Sequence, residues 1–353
     1  MSVSRSLITP TANVALEYAL QERLARGAQQ AGSLGEIEAL ALRLGLVQNT
    51  LKPRLDQPRL FVFAADHGLA VDGIGSGARR STAQLVAGLL ASQLPMPVFA
   101  RLNGLELSVV DAGVADPLAP HPQLMSRKIA HGTRNVRVSV AMSLEQAHAG
   151  IRAGMELADA LRGNVVACAG VGVGAQQSAA LVLASLTQLP VRDFVIYGQH
   201  TDDDEIAHLM LLLQGAHGRH RELTEPVEVL AALGGFETAM MVGLMLQAGN
   251  RRQLIVVDGM AACAALLVAS RIAPAIVDYC VFCRSSAHRG LDRAQGVFQA
   301  RSLLELGIES VDGTGTALAF PLLRSAAALL TEVADGLPAA KSGDAPAEGS
   351  SAG

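Results

Sequence analysis

The strongest constraint on this chain is an alternation of short apolar runs with longer stretches of helical spacing. The runs at 60–65, 107–111, 165–168, 193–197, 253–258 and 275–282 carry little charge, and most are separated by segments whose apolar residues recur at helical intervals. Such short runs, without polar alternation, predict strands buried on both faces. Strands that alternate with helices join by parallel crossovers, so the pattern predicts an α/β layered fold. Helical stretches at 12–27 and 35–47 precede the first strand and a long apolar one, 315–333, follows the last. These ends are expected to pack as a small helical domain. The divisions are residues 1–55, an α/β body at 56–312, a C-terminal helix at 313–338 and a low-complexity, disordered tail at 339–353.

Composition then removes several classes of function. The 353 residues carry a net charge of −4 and only 3% aromatics with no Trp, so neither a phosphate-backbone partner nor a base-stacking surface is expected. No Asp, Glu, Lys or Arg lies between Arg162 and Arg192, a length that spans a bilayer. That stretch is interrupted by Gly170, Gly172 and Gly174 and carries Asn164, Gln176, Gln177 and Pro190, which predicts strand, loop and helix and no membrane span. The first 24 residues have no apolar core ahead of a cleavage site, so no signal peptide is expected. Cys168, Cys263, Cys280 and Cys283 sit in apolar surroundings. Cys280 and Cys283 have the spacing of a metal or redox pair, but they lie in a strand-like run without a second pair. Buried structural thiols in a reducing cytoplasm are the expectation.

In an open parallel sheet, ligands bind beyond the carboxyl ends of the strands, so the residues after each run carry the information. After the run at 165–168 come Gly170, Gly172, Gly174 and Ala175, opening a helix. Gly170, Gly172 and Ala175 fit the spacing of a dinucleotide loop, but Asp193, the acid at the right distance, precedes its apolar run instead of ending it. Contact with a phosphate or ribose through bare backbone N–H groups, or plain tight packing, are the two better readings. Asp66 at the end of the first run is expected to cap neighbouring N–H groups. The acids Asp202, Asp203, Asp204 and Glu205 are expected in the positive first turn of a helix, and His208, His217 and His220 lack metal-ligand spacing. Asp312, ahead of Gly313, Thr314 and Gly315, opens the last apolar helix. It reads equally as a general base and as a helix-capping turn.

Taken in order, these segments resemble one family, the nicotinate-nucleotide–dimethylbenzimidazole phosphoribosyltransferases of cobalamin lower-ligand assembly. GSLG at 32–35 resembles the family's PGSLG, and FAADHG at 63–68 its FAGDHG. TAQ at 82–84, VVDAGV at 109–114, GTRN at 132–135 with AM at 141–142, GGFE at 234–237 and DG at 258–259 follow collinearly. DGTG at 312–315 falls on the family's EGTG. The resemblance implies a Rossmann-like parallel sheet flanked by helices, a small helical domain, a homodimer, and no metal or other cofactor. It implies transfer of 5-phosphoribose from nicotinate mononucleotide to a benzimidazole nitrogen, with inversion at the anomeric carbon and a motif carboxylate, here Asp312, taking the azole proton. Substrate contacts are implied at Ser76, Gln84, Gly170, Gly172, Gly174, Ser286, Gly313, Thr314 and Gly315. The family pattern changes at several places, among them its EGTG Glu, which is Asp312, the Glu of its GEMGIGNTT, which is Gly170, its Asn-Thr-Thr, which is Ala175-Gln176-Gln177, and an Arg three residues before the EGTG Glu, which is Glu309. These changes raise a second reading, a catalytically degenerate partner subunit that forms a heteromer with a complete family member.

Overall fold

Among the described residues seven strands form one sheet: β1 (Arg59–Ala65), β2 (Glu106–Gly113), β3 (Leu124–Ser126), β4 (Val165–Val171), β5 (Leu254–Val257), β6 (Cys280–Arg284) and β7 (Ser302–Leu304). Their order is β3-β2-β1-β4-β5-β6-β7 and every pairing is parallel. The computed structural model describes residues 8–73, 80–196, 203–285 and 289–334, so Ser76, Ser286 and the expected tail at 339–353 lie outside the described residues. The order reverses between β1 and β4, the crevice where open sheets of this kind bind ligands.

The central strands are buried along their length, as uniformly apolar runs require. Helices α1 (Val14–Ala31), α2 (Glu36–Gln48), α3 (Thr82–Leu90), α4 (Pro95–Leu102), α5 (Leu144–Asp159), α6 (Ala175–Thr187) and α7 (Asp203–Arg219) come first. They are followed by α8 (Pro226–Leu233), α9 (Phe236–Asn250), α10 (Met260–Ile272), α11 (Arg289–Gly296) and α12 (Thr314–Ala328). Adjacent strand residues point to opposite faces. On β4, Ala169 meets Gly313 at the start of α12, whereas Gly170 meets Met241 on α9 and Ala261 on α10. α12 and the α9–α10 pair therefore cover opposite sides of the sheet. Each fully buried large side chain in these layers, such as Phe61, Phe63 or Phe320, contributes roughly 1.5–3 kcal/mol over exposure.

Several helix starts are written locally. Ser81 with Gln84, and Ser143 with Gln146, form capping boxes that open α3 and α5. The terminal helices meet one another, α1 on α2 and α12 on α2, and α12 also packs on α4 and β6. Two stretches, Thr82–Leu102 and Thr314–Val333, are long and apolar enough to cross a membrane by length and composition. The first is broken into α3 and α4, and both turn apolar side chains inward, with Val86, Leu89, Met96, Phe320 and Leu323 buried.

The expected strand at 193–197 is absent among its described residues. Val191–Asp193 is a 3-10 turn, and Phe194 and Val195 are buried without joining the sheet. A short apolar run records burial and cannot by itself distinguish a strand from packed coil. Likewise only Cys280–Arg284 of the last predicted run is a strand, because Pro274 opens the 3-10 helix Pro274–Tyr279 ahead of it. The three-residue edge strands β3 and β7 were below what periodicity detects.

Candidate active site

A cleft of about 740 Å3 opens beyond the carboxyl end of β4, a size typical of small-molecule sites. One wall is the loop from Gly170 to Gln177, and the other is the turn from Glu309 to Asp312 ahead of α12, with Leu85 at the edge.

The first wall is made of backbone. A Cβ at position 172 would collide with the Ala65 carbonyl oxygen at the end of β1, and the residue has φ +150, so only glycine lets the loop cross the crevice. Thr82 at the start of α3 ties this loop down, accepting from the Val173 N–H (3.0 Å) and donating to Asp66 (2.5 Å). Asp66 also accepts from the Ala115 N–H (2.7 Å), which bears out its expected capping role. Gly174 to Gln177 form the first turn of α6, whose early N–H groups have no intrahelical partners and favour an anion. Behind the wall, His67 Nε2 lies 3.2 Å from Glu237 Oε1, and both side chains are buried.

The second wall is made of charged side chains held from three elements. Asp258 follows β5, Arg284 ends β6 and Asp312 precedes α12. Arg284 donates through Nε to Asp258 Oδ1 (2.8 Å) and through Nη2 to Asp312 Oδ1 (2.8 Å). Two further donors go to the carbonyls of Ile308 and Ser310. Asp258 Oδ2 accepts from Gly313 (3.0 Å) and Thr316 (2.7 Å), capping α12. The Met260 N–H, at the first residue of α10, lies near Asp312 and favours its charged form. The first Asp-Gly junction thus caps the helix that follows the second, with Arg284 between the two acids. Gly259 makes room for this arrangement. It has φ +92, and a Cβ there would collide with the Asp312 carboxylate.

Asp312 is 7% exposed on the cleft floor. Burial pushes its carboxyl up to about 7; Arg284 pulls the other way and the Asp258 charge adds to the rise. A carboxylate poised there exchanges a proton near neutral pH, as a general base must.

The sequence expectations separate cleanly on this geometry. Gly170, Gly172, Gly174 and Asp312 converge on the cleft. Gln84 does not line it: the residue is exposed and its side-chain carbonyl accepts the Ser81 N–H (3.0 Å) in the capping box. Gly313, Thr314 and Gly315 are buried behind the acid wall. Thr314 donates to the Val311 carbonyl (2.6 Å), and Gly315 lies against Arg284 and Asp258. Glu309 is exposed on the cleft rim. The four cysteines are buried free thiols. Cys280 and Cys283 point to opposite faces of β6, and burial holds both thiols well above their ordinary range. No group of three or more His, Cys, Asp or Glu able to hold a metal exists among the described residues. Sequence reasoning missed the Asp258–Arg284–Asp312 cluster. The available signals were two Asp-Gly pairs at strand-to-helix junctions and an Arg closing an otherwise apolar run.

This fold, with its cleft at the carboxyl edge of the sheet and an acid at a helix start, defines an α/β protein built to bind a small molecule. A family model described as phosphoribosyltransferase matches residues 9–340. A nicotinate-nucleotide–dimethylbenzimidazole phosphoribosyltransferase from Cupriavidus taiwanensis is 44% identical over 328 residues, covering 92% of this chain and 95% of that protein. The enzyme of the same name from Janthinobacterium is 37% identical over 93% of this chain and 96% of its own length. A crystal structure of the Thermus thermophilus enzyme superposes with a TM-score of 0.82 at 29% identity, covering 90% of this chain and 96% of that one. The chain belongs to the nicotinate-nucleotide–dimethylbenzimidazole phosphoribosyltransferase family, and it is a pentosyltransferase.

Proposed function

We propose that the protein moves 5-phosphoribose from nicotinate mononucleotide to 5,6-dimethylbenzimidazole or a related base, giving α-ribazole 5′-phosphate and nicotinate in cobalamin nucleotide-loop assembly. The azole nitrogen attacks C1′ from the face opposite nicotinate. The new C1′–N bond forms as the bond to the pyridine nitrogen breaks, its electron pair neutralising the pyridinium, and C1′ inverts. The azole proton passes to Asp312. Gly170, Gly172 and Gly174 place backbone and the α6 N-terminus against the sugar phosphate, and Ser76, Gln84 and Ser286 belong to the contact set by resemblance alone. The chain itself acts as a homodimer in the cytoplasm in this reading, and its buried thiols suit a reducing compartment.

The observation that carries the proposal is the nearly buried Asp312 carboxylate on the cleft floor, held by Arg284 at 2.8 Å across from the glycine loop. Incubation of the purified protein with nicotinate mononucleotide and dimethylbenzimidazole is expected to yield α-ribazole phosphate. Asp312→Asn, a neutral isostere, is expected to lower kcat by ~10²–10⁴-fold without unfolding the protein. Turnover of the Asn variant at the wild-type rate would remove Asp312 as the base, and no product with any azole would remove the transferase reading. The degenerate-subunit alternative is not favoured, since a carboxylate is kept at the motif position and the chain follows active-named relatives along nearly their whole length.

A further inference from the structure

We propose that Arg284 is the positioning residue of this site: anchored on Asp258, its guanidinium holds the Asp312 carboxylate in one orientation at the cleft floor. The inference deepens the proposal above and rests on Asp312 as the base.

Asp reaches one methylene less far than Glu, so its usefulness as a base depends on where its Cα and χ1 are fixed. A base must come within ~3 Å of the proton it takes. Here the orientation is overdetermined. Oδ1 takes the Arg284 Nη2 donor at 2.8 Å, and Oδ2 is pressed against Gly259 beside the Met260 N–H. Arg284 cannot swing away on its own, because Nε is bound to Asp258 at 2.8 Å and two further donors hold the carbonyls of Ile308 and Ser310. Its backbone carbonyl is held by Gln295 (2.7 Å), itself bonded to Ser302 (2.6 Å), so the strand end is fixed as well. A planar fork that satisfies two carboxylates and two carbonyls at once is a geometry that lysine cannot reproduce. These contacts take four of the five guanidinium N–H donors and bind both neighbouring carboxylates, which argues against Arg284 serving as the main cation for a substrate phosphate.

The groups that act on Asp312 are Arg284 from β6, Asp258 from the end of β5, and Met260 and Cys263 from α10, while Glu309 lines the same cleft from the turn ahead of Asp312. Burial keeps the Cys263 thiol far above its ordinary value, so it stays neutral. This inventory gives opposite signs for two conservative variants. Arg284→Lys keeps the charge but loses the fork's hydrogen bond to Asp312, so the acid limb of the kcat/KM profile should move to higher pH. Asp258→Asn removes a repelling anion, so the limb should move to lower pH.

The experiment measures kcat, KM and pH profiles of wild type, Arg284→Lys and Asp258→Asn with nicotinate mononucleotide and dimethylbenzimidazole, with thermal melts alongside. Titrations of the substrates are common to all three enzymes and cancel. Arg284→Lys should lose on the order of 10²-fold in kcat, the cost of a misplaced reacting group, with KM little changed. A purely structural Arg284 would lower the melting temperature and the rate at all pH values alike, leaving the limb in place, and that result overturns the proposal. If Arg284→Lys does not fold, Asp258→Asn carries the test through kcat: weakening the Arg284 Nε anchor should lower kcat with KM little changed, and a wild-type kcat overturns the proposal. A wild-type rate in Asp312→Asn removes the base assignment itself, an outcome distinct from loss of Arg284 alone.

Discussion

The two walls of the cleft are built on opposite principles. The loop from Gly170 to Gln177 offers backbone only, and its shape is dictated by what cannot be there, above all a Cβ at position 172. The turn from Glu309 to Asp312 is shaped by attraction: two carboxylates and a guanidinium from three separate elements, nearly out of contact with water. The backbone wall can meet an anion without supplying a full charge, whereas the charged wall spends its cation internally to hold one acid in place. An enzyme that binds a phosphorylated donor and removes a proton from a neutral acceptor needs both kinds of surface, kept apart.

Substitutions that break the charged wall should cost the most. Arg284→Met leaves two buried carboxylates without their cation and is expected to lower stability by about 3–5 kcal/mol, read by urea or thermal unfolding. The pH dependence of the intact protein sharpens the same wall. Native Asp312 keeps its proton up to about pH 7, while the unfolded chain releases it near its ordinary value of 3.8. Across that interval the native state binds the extra proton, so stability falls as pH rises, by up to about 4 kcal/mol at ~1.4 kcal/mol per unit. Asp312→Asn should flatten that slope in melts recorded from about pH 4 to 7, the interval between the two values.

The backbone wall should respond less to charge and more to volume. Gly172→Ala forces the loop off the Ala65 carbonyl and is expected to cost about 1–3 kcal/mol, as overpacking does. Its kinetic signature should be a raised KM for the mononucleotide with the acid limb unmoved. A shifted limb would mean that the two walls are coupled. Ser81→Ala, which removes the cap beneath Thr82 and so loosens the loop indirectly, should cost only about 1 kcal/mol in thermal melts.

Legibility in the sequence followed how local each interaction is. The parallel layering was readable because uniformly apolar β1, β4 and β5 advertise burial on both faces, and the capping box at Ser81 because its partners are three residues apart. Phe194 and Val195 misled because burial without a paired neighbour looks the same in one dimension. Gly172 announced a close approach but not its partner, which lies far upstream at Ala65. The role of Arg284 was hidden altogether, since its partners Asp258 and Asp312 lie 26 and 28 residues away on either side.

The sequence by itself determined the layered α/β architecture, the glycine loop, the acid at the head of the last helix and the family to which these motifs point. All of these rest on periodicity, steric exclusion or short motifs, which are properties of neighbours along the chain. Tertiary structure alone decided that Asp258, at the end of β5, caps α12, and that Arg284 joins it to Asp312. Those outcomes depend on which strand ends the parallel order sets side by side, and on the low-dielectric interior that makes a charge seek its partner there. Neither is written in any stretch of residues read alone.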